Sequence, residues 1–129
     1  MVVFLKVVVG ILLAAHGLVH LLYFVPKPDD PTWPFTVERS WLVPEPARRP
    51  VAVALVAVTV VAFVLLGLAV TGFPGLRVIW PGLAVVGSIA SLATLAVYWN
   101  AQLLAGIAID VVVLVLAFWR PEWTDGLGG

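Results

Sequence analysis

Four long apolar stretches run along the chain, about Val2 to Val25, Val51 to Val70, Val78 to Trp99 and Gln102 to Trp119, separated by polar or proline-containing segments. A helix needs about 20 mostly apolar residues to cross a bilayer. Each stretch reaches or approaches that length, so the pattern predicts four membrane helices. Pro26 ends the first, Pro50 suits the opening turn of the second, and Gly72-Phe73-Pro74-Gly75 makes a tight connection to the third. Asn100 marks the turn into the fourth. Short connections make consecutive helices antiparallel neighbours. The expected fold is therefore all-α, an integral membrane four-helix up-down-up-down bundle that forms a single membrane domain over residues 1–129.

Residues 26–49 break this pattern. They carry eight of the fourteen charged side chains and six of the ten prolines, which rules out a long helix there. Trp33, Phe35, Trp41 and Leu42 are residues that settle at headgroup level, which favours a short interfacial turn around Val37 to Leu42 and a loop capping one end of the bundle. A structureless connector is the alternative that proline density allows.

Composition strengthens the membrane reading. The chain is 63% hydrophobic and 11% charged, with mean hydropathy +1.15, whereas a globular domain is roughly half apolar. Localisation in the cell membrane with several passes follows, with the lipid bilayer as first partner. Seven basic and seven acidic residues cancel, leaving no basic surface for nucleic acid. The absence of cysteine removes disulfides, cysteine-ligated zinc, iron–sulfur clusters and CxxC redox chemistry. The first stretch is too long for a signal peptide and no Ala-x-Ala follows it, so it is expected to be a retained helix. Basic residues near the helix ends tie between the two sides, Lys27, Arg39, Arg48 and Arg49 against Lys6, Arg77, Arg120 and the terminal amine, so orientation stays open. The tail from Arg120 reads as a Trp123-anchored end without a motif.

Candidate chemistry comes from the few polar residues inside the apolar stretches. Ionisable groups at bilayer depth are costly, and each calls for a partner. Lys6, Gly10, Leu13, Gly17 and His20 advance in steps of four and three along one face of the first helix, with His16 on its shoulder. Gln102, Gly106 and Asp110 share a face of the fourth. At 1.5 Å rise per residue, His16 lies about 14 Å and Asp110 about 12 Å from the loop-side ends of their helices, so the two could meet if those helices pack together. Gly87, Ser91, Thr94 and Tyr98 form a stripe of small and hydroxylated residues on the third helix, of the kind that glues helices in lipid.

The inferred pocket, in the loop-side half of the bundle, comprises His16, His20, Thr94, Tyr98, Asn100 and Asp110. A structural His16–Asp110 pair that fixes helix register is the competing account, and Lys6 is expected to snorkel to the headgroups. His16 and His20 at i and i+4, with Asp110 as third ligand, also have the spacing of a helical metal site. Haem fits poorly, because two histidines on one helix cannot ligate both faces of one haem. No residue is assigned a catalytic role.

The segments HGLVHLLYFVP and YWNAQLLAGIAID carry a resemblance. The chain resembles a loose group of small bacterial four-helix membrane proteins with an HGLxHL first helix, at the edge of the DoxX-like grouping. In residues the resemblance covers Ala15 to Phe24 and Tyr98 to Asp110; in hydropathy it covers most of the chain. DoxX proteins proper are membrane subunits of oxidoreductase systems that work with quinone, so the resemblance implies a quinone-linked or accessory-subunit role. Three readings stand at this point. The first is an accessory or structural subunit, assembling as a homo-oligomer or with a partner membrane subunit through Gly10, Gly17, Gly87 and Gly106. The second is a lipid, quinone or small-molecule pocket, possible enzyme activity included, around His16 and Asp110, where a protonatable Asp110 beside a histidine suits proton exchange. The third is a small transporter, which needs a path past Asp110 to the far side.

Overall fold

The computed structural model describes residues 2–24, 40–98 and 103–120. They form α1 (Val2–Leu18), α2 (Glu45–Val70), α3 (Trp80–Val97) and α4 (Leu104–Trp119), with no strand among them. Three segments, Val3–Phe24, Glu45–Val70 and Trp80–Val97, are long and apolar enough to cross a membrane. The α4 helix, at 16 residues, is shorter.

Each helix packs against the next in sequence, α1 on α2, α2 on α3 and α3 on α4. The register is antiparallel throughout. Gly10 of α1 lies against Gly67 of α2 and Gly17 against Phe63, while Ser91 of α3 meets Asp110 of α4 and Leu95 meets Gly106. The chain is thus the expected up-down-up-down bundle, a membrane-embedded protein by the apolarity of its helices.

The helix ends differ from the sequence expectation in informative ways. After Leu18 the α-helical winding tightens, and Val19–Phe24 is a 3-10 helix rather than a continuation of α1. The second helix starts at Glu45, six residues before the expected Val51. Pro46 stands in its first turn, where a backbone N–H has no partner to lose, and Glu45 places a negative charge at the positive end of the helix dipole. Pro50 then sits inside the helix and removes one ladder hydrogen bond. The third is preceded by a 3-10 turn, Arg77–Ile79, and α4 ends where Arg120 adopts a left-handed conformation and its N–H returns to the Leu116 carbonyl. Gly72 and Gly75, both with positive φ, make the α2–α3 turn, as their lack of a side chain permits.

The expected capping loop is described only from residue 40. There it closes the loop-side end of α3: Ser40 Oγ donates to the Val97 carbonyl at 2.8 Å and Trp41 Nε1 to the Ala96 carbonyl at 2.5 Å. These carbonyls belong to the last turn of α3, which has no intrahelical donors of its own. Tyr98 donates from its hydroxyl to the Arg48 carbonyl in α2. Residues 41–43 form a bend and not a helical turn. The rest of the predicted interfacial turn lies outside the described residues.

Two apolar clusters fill the interior. Tyr23, Ala52, Val56, Leu95, Val97, Tyr98 and Leu103 pack at the loop-side end. Phe63, Leu66, Val70, Ala84 and Ala117 pack toward the opposite end.

Candidate functional site

The polar residues of the helices gather between these two clusters. His16 Nε2 lies 2.7 Å from Asp110 Oδ1, joining α1 to α4. Ser91 Oγ donates to Asp110 Oδ2 at 2.5 Å, and the same Oγ lies 2.9 Å from His20 Nε2. The second nitrogen of His20, Nδ1, donates to the carbonyls of His16 and Gly17 at 3.0 and 3.2 Å. The result is one continuous hydrogen-bonded chain, His16–Asp110–Ser91–His20, across α1, α4, α3 and the 3-10 segment.

Local sequence explains how it is held. His20 stands at the start of the 3-10 segment, where its ring folds back onto the carbonyls of the preceding turn. Phe63 of α2 packs edge-on against the His16 ring, with centroids 4.8 Å apart. Phe63 has room because Gly17 and Gly87 flank it: a Cβ on Gly17 would stand 2.5 Å from Phe63 Cβ, and one on Gly87 would stand 3.1 Å from its ring. Gly106, one turn before Asp110, admits Leu95 in the same way.

The α1 and α4 backbones are not closely packed against each other, unlike the sequential helix pairs. They meet through the His16–Asp110 bond, beside a cavity of about 250 Å³. His16, Val19, His20 and Tyr23 line one wall, Leu103, Ala105, Gly106 and Ile109 the other, and Leu95 the floor. Val19, Ala105 and Ile109 at its rim are exposed and apolar, so the cleft opens between two helices onto the surface that faces lipid. Asp110 and Ser91 are fully buried behind it, at 0% exposure, whereas His16 retains 9%.

Of the six residues expected in the pocket, His16 and His20 line the cleft and Asp110 stands directly behind His16. Thr94 is buried but donates to the Ala90 carbonyl of its own helix. Tyr98 is turned toward Arg48 of α2 and does not line the cleft. Asn100, with Gln102, lies outside the described residues. Of the metal candidates His16, His20 and Asp110, His20 directs its ring nitrogens to carbonyls and to Ser91, and no group of three potential ligands converges among the described residues. Ser91, expected as helix glue, bridges Asp110 and His20. Its place was legible in the hairpin: in an antiparallel α3–α4 pair turning near Asn100, Ser91 and Asp110 are equidistant from the turn, as are Leu95 and Gly106.

These features define a small membrane protein with a buried acid–base network beside an apolar cleft. The chain matches no protein-family model, no curated protein and no solved structure.

Proposed function

We propose that this protein, a multi-pass component of the cell membrane, binds a membrane-dissolved amphiphile of the lipid or quinone type in the cleft between α1 and α4, with His16 and Asp110 as its polar anchor. The observation that carries this reading is the 2.7 Å His16–Asp110 bond at the wall of an otherwise apolar cavity. Small-molecule sites are mostly apolar with a few placed polar groups, and span about 300–1,000 Å³. At about 250 Å³ this cleft suits a head group or a single ring, with the alkyl part lying along the apolar rim.

The subunit reading loses its sequence argument. Gly10, Gly17, Gly87 and Gly106 all face neighbouring helices of the same chain, so their small faces are used inside the bundle. For a transporter, the path beyond Asp110 runs into the apolar cluster of Phe63, Leu66, Val70, Ala84 and Ala117.

Native mass spectrometry of the mildly extracted protein tests the binding reading. The wild type is expected to carry a copurified small molecule that His16→Ala and Asp110→Asn both lose, with assembly unchanged and a stability cost below about 2 kcal/mol, the upper range for single interhelical hydrogen bonds in membranes. An empty wild type whose assembly fails in both variants would make the pair structural and restore the partner-subunit reading.

A further inference from the structure

The hydrogen-bonded chain behind the cleft has two equivalent ways to distribute one proton. Carbonyl oxygens only accept, so His20 Nδ1, held by the His16 and Gly17 carbonyls, keeps its hydrogen. Exchange at His20 is therefore confined to Nε2, which faces Ser91 Oγ. A serine hydroxyl has a single hydrogen, and Ser91 has two polar neighbours. If Ser91 donates to Asp110, His20 Nε2 must carry a hydrogen to donate into Ser91, and the ring is an imidazolium facing a carboxylate. If Ser91 donates to His20, Asp110 must carry a hydrogen on Oδ2, and both groups are neutral. Either way the four side chains have no net charge and make the same hydrogen bonds.

The other end of the chain reaches the ligand. His16 points Nε2 at Asp110, and its ring lines the cleft. Asp110 behind an imidazole whose ring lines a binding cavity is the arrangement of a carboxylate-oriented general base. The remaining neighbours of the chain do not interrupt it. Phe63 of α2 covers the face of His16, and the Tyr23 ring centroid is 6.5 Å from that of His20.

Building on the binding reading above, we propose that the site deprotonates an acidic O–H of its ligand, a phenol or hydroquinone hydroxyl or a carboxylic acid, and relays the proton through Asp110 and Ser91 to His20. The ligand O–H bond breaks with its electron pair left on oxygen, and the proton joins His16 Nδ1. The relay starts from the neutral form, with a hydrogen on Asp110 Oδ2 and Ser91 donating to a bare His20 Nε2: His16 Nε2 releases its proton to Asp110 Oδ1, Asp110 Oδ2 releases one to Ser91, and Ser91 releases one to His20 Nε2. Three residues each take one proton and give one. The ligand becomes an anion held by the new His16 Nδ1–H, and His20 becomes an imidazolium whose Nδ1–H is already shared by two carbonyls. The chain resets when the proton returns. His16 is the residue that touches the ligand; Asp110, Ser91 and His20 act through it.

The test is nitrogen NMR of histidine-labelled protein in lipid nanodiscs with three probes: 4-dodecylphenol, dodecanoic acid, and the methyl ether of the phenol, which lacks the acidic O–H. The phenol or the acid is expected to shift both His16 Nδ1 and His20 Nε2 of the wild type toward protonated values, and whichever does so identifies the ligand's source. The ether should leave His20 unchanged. Ser91→Ala should keep the His16 response and lose that of His20, and Ser91→Thr, which restores a hydroxyl, should recover it. A His20 response that survives Ser91→Ala, or a His16 response with His20 silent in the wild type, overturns the relay while leaving the binding reading intact. No response at either histidine to the phenol or the acid overturns both.

Discussion

Below the histidines α1 and α2 are held by glycine and close backbone contact; at the histidines α1 and α4 are joined by a hydrogen bond and their backbones stand apart. In the first region Gly10 and Gly67 bring α1 and α2 so near that a Cβ on Gly67 would stand 2.5 Å from the Gly10 carbonyl oxygen. In the second, α1 and α4 are joined by the His16–Asp110 bond and leave a cavity beside it. Lipid tails are as apolar as leucine, so no hydrophobic force drives helices together within a bilayer, and van der Waals packing or polar pairing must do so. The α1–α2 pair uses the first of these and the α1–α4 pair the second. Space for a ligand arises at the end where polar pairing has replaced close packing.

The largest effect is expected at the close-packed end. In Gly67→Val the new side chain meets backbone, which cannot yield as a flexible side chain can. Overpacking costs about 1–3 kcal/mol, and the loss here is expected at the top of that range in reversible unfolding by sodium dodecyl sulfate. Because α1 carries His16 and leads directly into the 3-10 segment that carries His20, ligand retention should fall with it. Retention at the wild-type level in a strongly destabilised Gly67→Val would mean that the two ends are mechanically independent. Tyr98→Phe sharpens the contrast from the other end. It removes the hydroxyl that donates to the Arg48 carbonyl, with an expected loss of about 1 kcal/mol by the same assay. Tyr98 does not line the cleft, so ligand retention should stay intact; its loss would extend the site to the loop-side cluster.

How much of this was legible in the sequence differs between the ends as well. Hydropathy alone yields the four helices, and the equal depth of His16 and Asp110 follows from counting residues, because the rise of a helix is fixed. Their union did not require the α1–α4 backbone packing that the depth argument assumed. Two long polar side chains span the gap, and the gap is the cavity. The glycines read as surfaces for other chains instead serve this one, since periodicity identifies a face without naming what covers it. Thr94 and Tyr98 share a stripe with Ser91, but Thr94 bonds its own helix and Tyr98 bonds α2. Counting from the α3–α4 turn pairs Ser91 with Asp110, whereas the partners of Thr94 and Tyr98 come only from three-dimensional packing.

The boundary between the two ends falls within one turn of α3, and a pair of matched substitutions locates it. Ser88 and Ser91 are both fully buried, three residues apart. Ser91 bridges Asp110 and His20, whereas Ser88 Oγ has no hydrogen-bond partner among the described residues. A buried hydroxyl without a partner carries its desolvation cost uncompensated, about 1–3 kcal/mol, so deleting it relieves the protein. Ser88→Ala is therefore expected to raise stability slightly, by up to about 1 kcal/mol once the small void it leaves is counted. Ser91→Ala, the same chemical change one turn away, is expected to lower it by a similar amount, since it takes the partner from Asp110 Oδ2 and His20 Nε2. Opposite signs in parallel unfolding measurements would place the edge of the polar region between these serines. A loss of equal size in both would mean that Ser88 also has a polar partner, and that the hydrogen-bonded region reaches a full turn deeper toward the close-packed end.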